Sequence, residues 1–126
     1  MRTRSKRSTY YISPHRYLEL YHFSLQYDEW KKELLEITEL PGKGERYLEL
    51  DPTGEVATRR ALLKKRIELI EWCAKNSDAF IGGWILLAVT KGLSYSTLWS
   101  KYRIPCSKEL YFNRYHKYFW LLDGKR

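Results

Sequence analysis

Apolar and polar positions alternate with a helical period along most of the chain. From Leu20 the residues Leu20, Phe23, Tyr27, Trp30, Leu34 and Ile37 recur at spacings of three and four, which puts them on one stripe of a helix. Ser13-Pro14 marks its start, with serine as N-cap and proline at the first helical position, where its missing N–H costs nothing. Pro41-Gly42-Lys43-Gly44 ends it, and 46–50 reads as a linker able to form a short extended piece. Asp51-Pro52-Thr53 then opens a second helix, in which Leu63, Ile67, Ile70 and Ala74 form a stripe widened by Leu62, Leu69 and Cys73. Glu29, Glu33, Glu36 and Glu39 on the first helix face Arg59, Arg60, Lys64, Lys65 and Arg66 on the second, so the two are expected to pair antiparallel. The basic run also reads simply as a solvated face.

Asn76-Ser77-Asp78 breaks the pattern and caps a third helix over 79–91. Phe80, Ile81, Trp84, Ile85, Leu87 and Ala88 make this helix apolar nearly all round, so it is expected at the centre of the fold. Gly82-Gly83 inside it costs about 1 kcal/mol per residue relative to alanine, which makes sense where another helix crosses closely.

The next stretch carries the candidate function. Gly92 ends the third helix, Ser94 caps a short fourth one, and Leu98 and Trp99 supply its inner face up to Tyr102. Ile104 plugs the corner, Pro105 stops the helix, and Cys106 or Ser107 caps a fifth helix running to about Leu122. A short helix, a tight turn and a longer helix form the order of a helix-turn-helix. On the fifth helix Tyr111, Tyr115, Tyr118 and Leu122 share one face, with Leu110 and Phe119 at its margins. That leaves Lys108, Asn113, Arg114 and Lys117 outward. Cations of this kind reach phosphates or guanine edges, and asparagine pairs bidentately with adenine. The plainer reading is an amphipathic terminal helix with a solvated basic face. The expected fold is therefore all-α: a basic flexible arm (1–12), an antiparallel helical hairpin (13–76), and a three-helix unit with the helix-turn-helix (77–126).

Charge sharpens this picture because it is segregated. Residues 1–12 carry +4, residues 13–55 carry −5, and residues 56–126 carry +9, within a net charge of +8. A polyanion is drawn to the carboxy-terminal part and the arm, where phosphate contacts release counterions. A solubilising surface that binds nothing is the alternative. The DNA-binding set expected on this basis is Ser107, Lys108, Asn113, Arg114 and Lys117 on the fifth helix, Lys101 and Arg103 before it, and Arg2, Arg4, Lys6 and Arg7 in the arm.

Other classes find little support. The apolar run over 80–89 is about half the roughly 20 residues a membrane-spanning helix needs, and no secretory leader is apparent at the amino terminus. Cys73 and Cys106 fall on separate helices, which suits a reducing, cytoplasmic setting better than a disulfide framework. His15, His22 and His116 are scattered without a third ligand at metal spacing and read as surface or capping residues. No Gly-rich phosphate loop, nucleophile elbow or His-Glu-x-x-His pattern occurs, so neither catalysis nor a cofactor is expected.

Gly92-Leu93-Ser94, Leu98, Ile104 and Leu110 resemble the DNA-binding fourth region of bacterial sigma factors, with a turn one residue longer than that family's. The order of acidic helix, Asp-Pro-Thr linker, basic helix and this module resembles the small ArpU/RinA-like transcriptional activators of phages and prophages of Gram-positive bacteria. Gly-Leu-Ser-Tyr, Ile-Pro-Cys-Ser-Lys and the tail Lys117-Tyr118-Phe119-Trp120-Leu121-Leu122 carry that likeness further. The resemblance implies a non-catalytic regulator of phage genes in the bacterial cytoplasm. It would act on double-stranded DNA, with RNA polymerase as a second partner, and the hairpin offers a homodimer contact. Two rival expectations stand beside it: a phage-encoded factor that inhibits a host enzyme or defence system, and a small DNA-packaging subunit.

Overall fold

The computed structural model describes residues 8–39 and 54–126, and the described residues are helical apart from turns. Among the described residues six helices follow in chain order: α1 (Pro14–Leu25), α2 (Tyr27–Glu39), α3 (Glu55–Ser77), α4 (Gly82–Lys91), α5 (Tyr95–Tyr102) and α6 (Lys108–Lys125). The all-α class is as expected. The arm with Arg2, Arg4, Lys6 and Arg7, the Pro41–Gly44 stop and the Asp51-Pro52-Thr53 cap lie outside the described residues.

Local chemistry sets the start of α1, where the Ser13 hydroxyl accepts the Arg16 N–H and Pro14 follows. The single long helix expected after it is instead two. The Ser24 hydroxyl donates back to the Leu20 carbonyl at 2.9 Å, and the Gln26 N–H bonds Phe23 rather than its helical partner. Such back-bonding bends helices, and here α1 breaks from α2 at Gln26. The break divides the apolar stripe between two neighbours: α2 lies along α3, whereas α1 packs on α4 and α6.

The α2–α3 pair is antiparallel, as the charges implied. The Arg59 guanidinium meets Glu33 at 2.8 Å, Arg66 lies 5.1 Å over the Trp30 ring, and the Tyr27 hydroxyl donates to Glu71. Lys64 and Lys65 are solvent-exposed.

α3 packs on α6 and α4 as well as on α2, so the hairpin and the carboxy-terminal helices share one apolar cluster. Leu20, Leu63, Ile70, Ile81, Ile85, Leu98, Ile104, Tyr118 and Phe119 are fully buried in it. α6 occupies the middle. The Tyr118 hydroxyl bonds Ser24 of α1 at 2.8 Å, the Tyr17 and Tyr115 hydroxyls bond each other at 2.7 Å, and Arg16 clamps Asp123 at 2.7 Å.

α4, expected to be covered all round, is not. Its first turn begins at Gly82 rather than Ala79, because the Asp78 carboxylate takes the N–H groups of Phe80 and Ile81 at 2.8 and 2.9 Å. That turn throws Phe80 outward, 68% exposed, and leaves Trp84 and Leu87 only half-buried on the same side.

The two glycines have opposite roles. A Cβ on Gly82 would stand 2.8 Å from the Ala74 carbonyl oxygen, whereas one on Gly83 would meet nothing within 4 Å. The close neighbour is the backbone of another helix, α3, near its end. Gly82→Ala is therefore expected to destabilise by roughly 2 kcal/mol through overpacking against backbone. Gly83→Ala is expected to stabilise by about 0.5–1 kcal/mol through helix propensity. Urea denaturation of the two variants checks both signs.

Candidate nucleic-acid interface

α5, the corner at 103–107 and α6 follow in the order short helix, turn, longer helix. Gly92 closes α4 in the left-handed region at φ 66°, and the Leu93 N–H returns to the Ala88 carbonyl. The Ser94 hydroxyl accepts the Thr97 N–H to start α5, and the Ser107 hydroxyl accepts the Leu110 N–H to start α6. Ser107, rather than Cys106, is thus the cap. Cys106 contributes its carbonyl, which accepts the Tyr95 hydroxyl at 2.8 Å and ties the corner back to α5.

Arg103 ends α5 at φ 53° and is the one non-glycine residue with positive φ among the described residues. The N–H groups of Arg103 and Ile104 both point to the Leu98 carbonyl. Ile104 follows as the plug, fully buried. Trp99, expected on the inner face of α5, is 52% exposed. Leu98 alone turns inward at that level; the helical step of about 100° carries Trp99 to the outside, and Tyr102, in the last position of α5, is exposed as well.

The basic ridge expected along α6 contracts to its beginning. α6 is buried on two sides because Phe119 and His116 join the tyrosine stripe inside. His116, read from sequence as a surface or capping residue, is buried, while His15 and His22 are exposed. The Arg114 guanidinium bonds Asp78 at 2.8 Å and the Asn113 side-chain oxygen at 2.7 Å, so neither Arg114 nor Asn113 is a free outward group. Burial raises the Asp78 carboxyl, but the Ile81 and Phe80 N–H groups and Arg114 outweigh it and hold it below its ordinary range. Lys117 is half-buried.

What remains exposed is a short edge. Lys101 and Arg103 at the end of α5, then Ser107 and Lys108 at the start of α6, lie within eight residues and are all solvent-exposed. Among the described residues none of these three cations has an acidic partner, in contrast to Arg16, Arg59, Lys91 and Arg114. Glu109 is the acid on that edge. Trp99 and Tyr102 flank it with exposed aromatic rings, which the sequence had assigned inward or left unused.

Among the described residues no group of three or more His, Cys, Asp or Glu is placed to hold a metal ion. Cys73 and Cys106 are both free thiols, and burial pushes Cys73 up to about 12, far from a reactive thiolate. No described helix is long and apolar enough to cross a membrane. Comparison of the chain with family models, curated proteins and solved structures gives no match.

Proposed function

We propose that the chain is a non-catalytic DNA-binding protein, a transcriptional regulator of phage or prophage type, that docks on duplex DNA through the corner between α5 and α6. The observation that carries this reading is the cluster of unpaired cations Lys101, Arg103 and Lys108 on a capped helix-turn-helix edge. Arg16, Arg59, Lys91 and Arg114 are spent on ion pairs within the fold; Lys101, Arg103 and Lys108 face solvent together. Helix-turn-helix proteins use the first turns of the second helix against base edges and the preceding helix against the backbone. That division matches Ser107 and Lys108 on one side and Lys101 and Arg103 on the other. The basic arm, Arg2, Arg4, Lys6 and Arg7, adds phosphate contacts, and RNA polymerase is the partner a promoter-bound regulator would meet.

A fluorescence-anisotropy titration of the chain with labelled duplex DNA at 50 and 200 mM salt tests the reading. With about four phosphate contacts, affinity should fall roughly 100-fold between those conditions. Binding that ignores salt, or no binding at either concentration, would overturn it.

Arg103 separates function from stability. Its left-handed backbone costs about 1 kcal/mol that glycine would not pay, so Arg103→Gly is expected to raise stability by about that amount. The same change removes a phosphate contact and should flatten the logarithmic salt dependence by about one. Urea denaturation and anisotropy on one preparation read the two effects, which have opposite signs.

A second reading is a protein-directed factor, with a host enzyme or defence protein as target. It is favoured by the open apolar side of α4, where Phe80, Trp84 and Leu87 lie at spacings of four and three. Such a factor would keep its target affinity when the corner cations are reversed and lose it when Phe80 and Trp84 become polar. A packaging subunit would instead show a ring assembly by mass photometry.

A further inference from the structure

Six aromatic rings, Tyr17, Tyr21, Tyr95, Tyr111, Phe112 and Tyr115, line a half-open cavity of about 250 Å³. They come from three helices: α1 gives the first two, α5 gives Tyr95 and α6 the rest. The cavity therefore sits where both helices of the helix-turn-helix meet the body of the fold, beside Gly92-Leu93-Ser94. The rings contact one another around it, with centroids 5.2 Å apart for Tyr95 and Tyr111 and 6.4 Å for Tyr17 and Tyr115.

The hydroxyl groups do not balance. Tyr95 donates to the Cys106 carbonyl, and Tyr17 and Tyr115 bond each other. In that pair one hydroxyl donates and the other keeps a proton with no acceptor among the described residues. Tyr111 is only 1% exposed, yet its hydroxyl makes no hydrogen bond to a described residue. Nor is that oxygen sealed from solvent, as the Arg60 Nε is, so the access it retains opens into the cavity it lines. A buried hydroxyl without a partner is costly, and the usual resolution is a bound molecule or water. Burial raises the Tyr111 and Tyr115 phenols above their ordinary range, so both stay neutral donors.

The geometry points to a binding site for a small, neutral, planar aromatic molecule with one hydrogen-bond acceptor on its edge. The aromatic walls supply stacking and edge-to-face contact. The spare proton of Tyr111 supplies the polar anchor. Among the described residues no charged side chain lines the cavity, so a charged ligand would enter without a counter-ion and pay most of its desolvation uncompensated. The volume is below that of drug-sized pockets and suits roughly ten non-hydrogen atoms. This site is independent of the DNA-binding reading, although an occupant would bridge α1 to α5 and α6.

Titration of the ¹⁵N-labelled full chain with phenol, benzene and tetramethylammonium tests the inference. Phenol should saturate one site with a dissociation constant on the order of 1 mM, as expected of so small a ligand. The shifted amides should be those of Gly92, Leu93, Ser94 and residues 111–115. Benzene should bind about three- to tenfold more weakly for want of the hydrogen bond, and tetramethylammonium should not saturate. Tyr111→Phe should abolish the advantage of phenol over benzene without lowering the melting temperature, because the lost hydroxyl has no partner to lose. Should that variant fail to fold, the phenol-to-benzene ratio and the shift map of the unmodified chain still decide. Shifts lying elsewhere, absence of saturation, tetramethylammonium binding as tight as phenol, or a phenol advantage that survives in Tyr111→Phe would each overturn the inference.

Discussion

Replacing Lys101, Arg103 and Lys108 together by glutamate should lower the affinity for duplex DNA by about 1,000-fold or more at 100 mM salt. Each reversal removes one phosphate contact with its counterion release and adds one like-charge repulsion. All three side chains are exposed and unpaired, so the fold loses no internal partner. The informative control is Arg114→Ala. In sequence it belongs to the same basic set, but in the fold it bridges Asp78 and Asn113. Its removal should cost stability and change DNA affinity by less than about threefold, within the range of an indirect effect. Anisotropy of the two variants, each checked for helicity, separates the cations that face a partner from the one that holds α6 to the turn before α4.

The second large effect concerns the corner itself. Ile104→Ala is expected to destabilise the chain by about 3 kcal/mol, the usual range for deleting a fully buried aliphatic side chain whose cavity cannot collapse. In a chain of this size that corresponds to a fall of roughly 10 °C in melting temperature. Ile104 sits between the left-handed end of α5 and the cap of α6, so the cavity opens at the junction that orients both helices. DNA affinity should therefore drop as well, even though Ile104 is fully buried and touches no partner. Thermal denaturation gives the first number and anisotropy the second.

What the sequence made legible, and what it did not, follows from how far apart the deciding residues lie. Ser13-Pro14, Gly92, Ser94 and Ser107 act within three or four residues of themselves, and each starts or ends a helix as its chemistry implies. The stripe of Leu63, Ile67, Ile70 and Ala74 is likewise a local pattern, and all four are buried. The break at Gln26 was not legible because the period of three and four runs through it unchanged; the cause is a serine hydroxyl shared between Leu20 and a tyrosine 94 residues away. The exposure of Phe80 turns on where α4 begins, which Asp78 decides by capturing two N–H groups.

The candidate site suffers from the same limit. Residue type could not tell Arg114 from Lys108, because the partner that removes Arg114 from the surface lies 36 residues earlier. The burial of His116 and Phe119 depends on α6 being enclosed by both α1 and α3, which no property of α6 alone announces. One signal could have helped. A helix of 18 residues with aromatic side chains on more than one face has more apolar surface than a single neighbour can cover, and so belongs inside.

The central claim is that the exposed edge formed by the end of α5 and the start of α6 is where duplex DNA is held. Amide chemical-shift mapping of the ¹⁵N-labelled chain on addition of duplex DNA tests it most directly. The largest shifts should fall on residues 101–110, with Arg114 and the half-buried middle of α6 following only weakly. Shifts concentrated on Gly83, Trp84 and Leu87, or residues 101–110 left unmoved at saturating DNA, would contradict it.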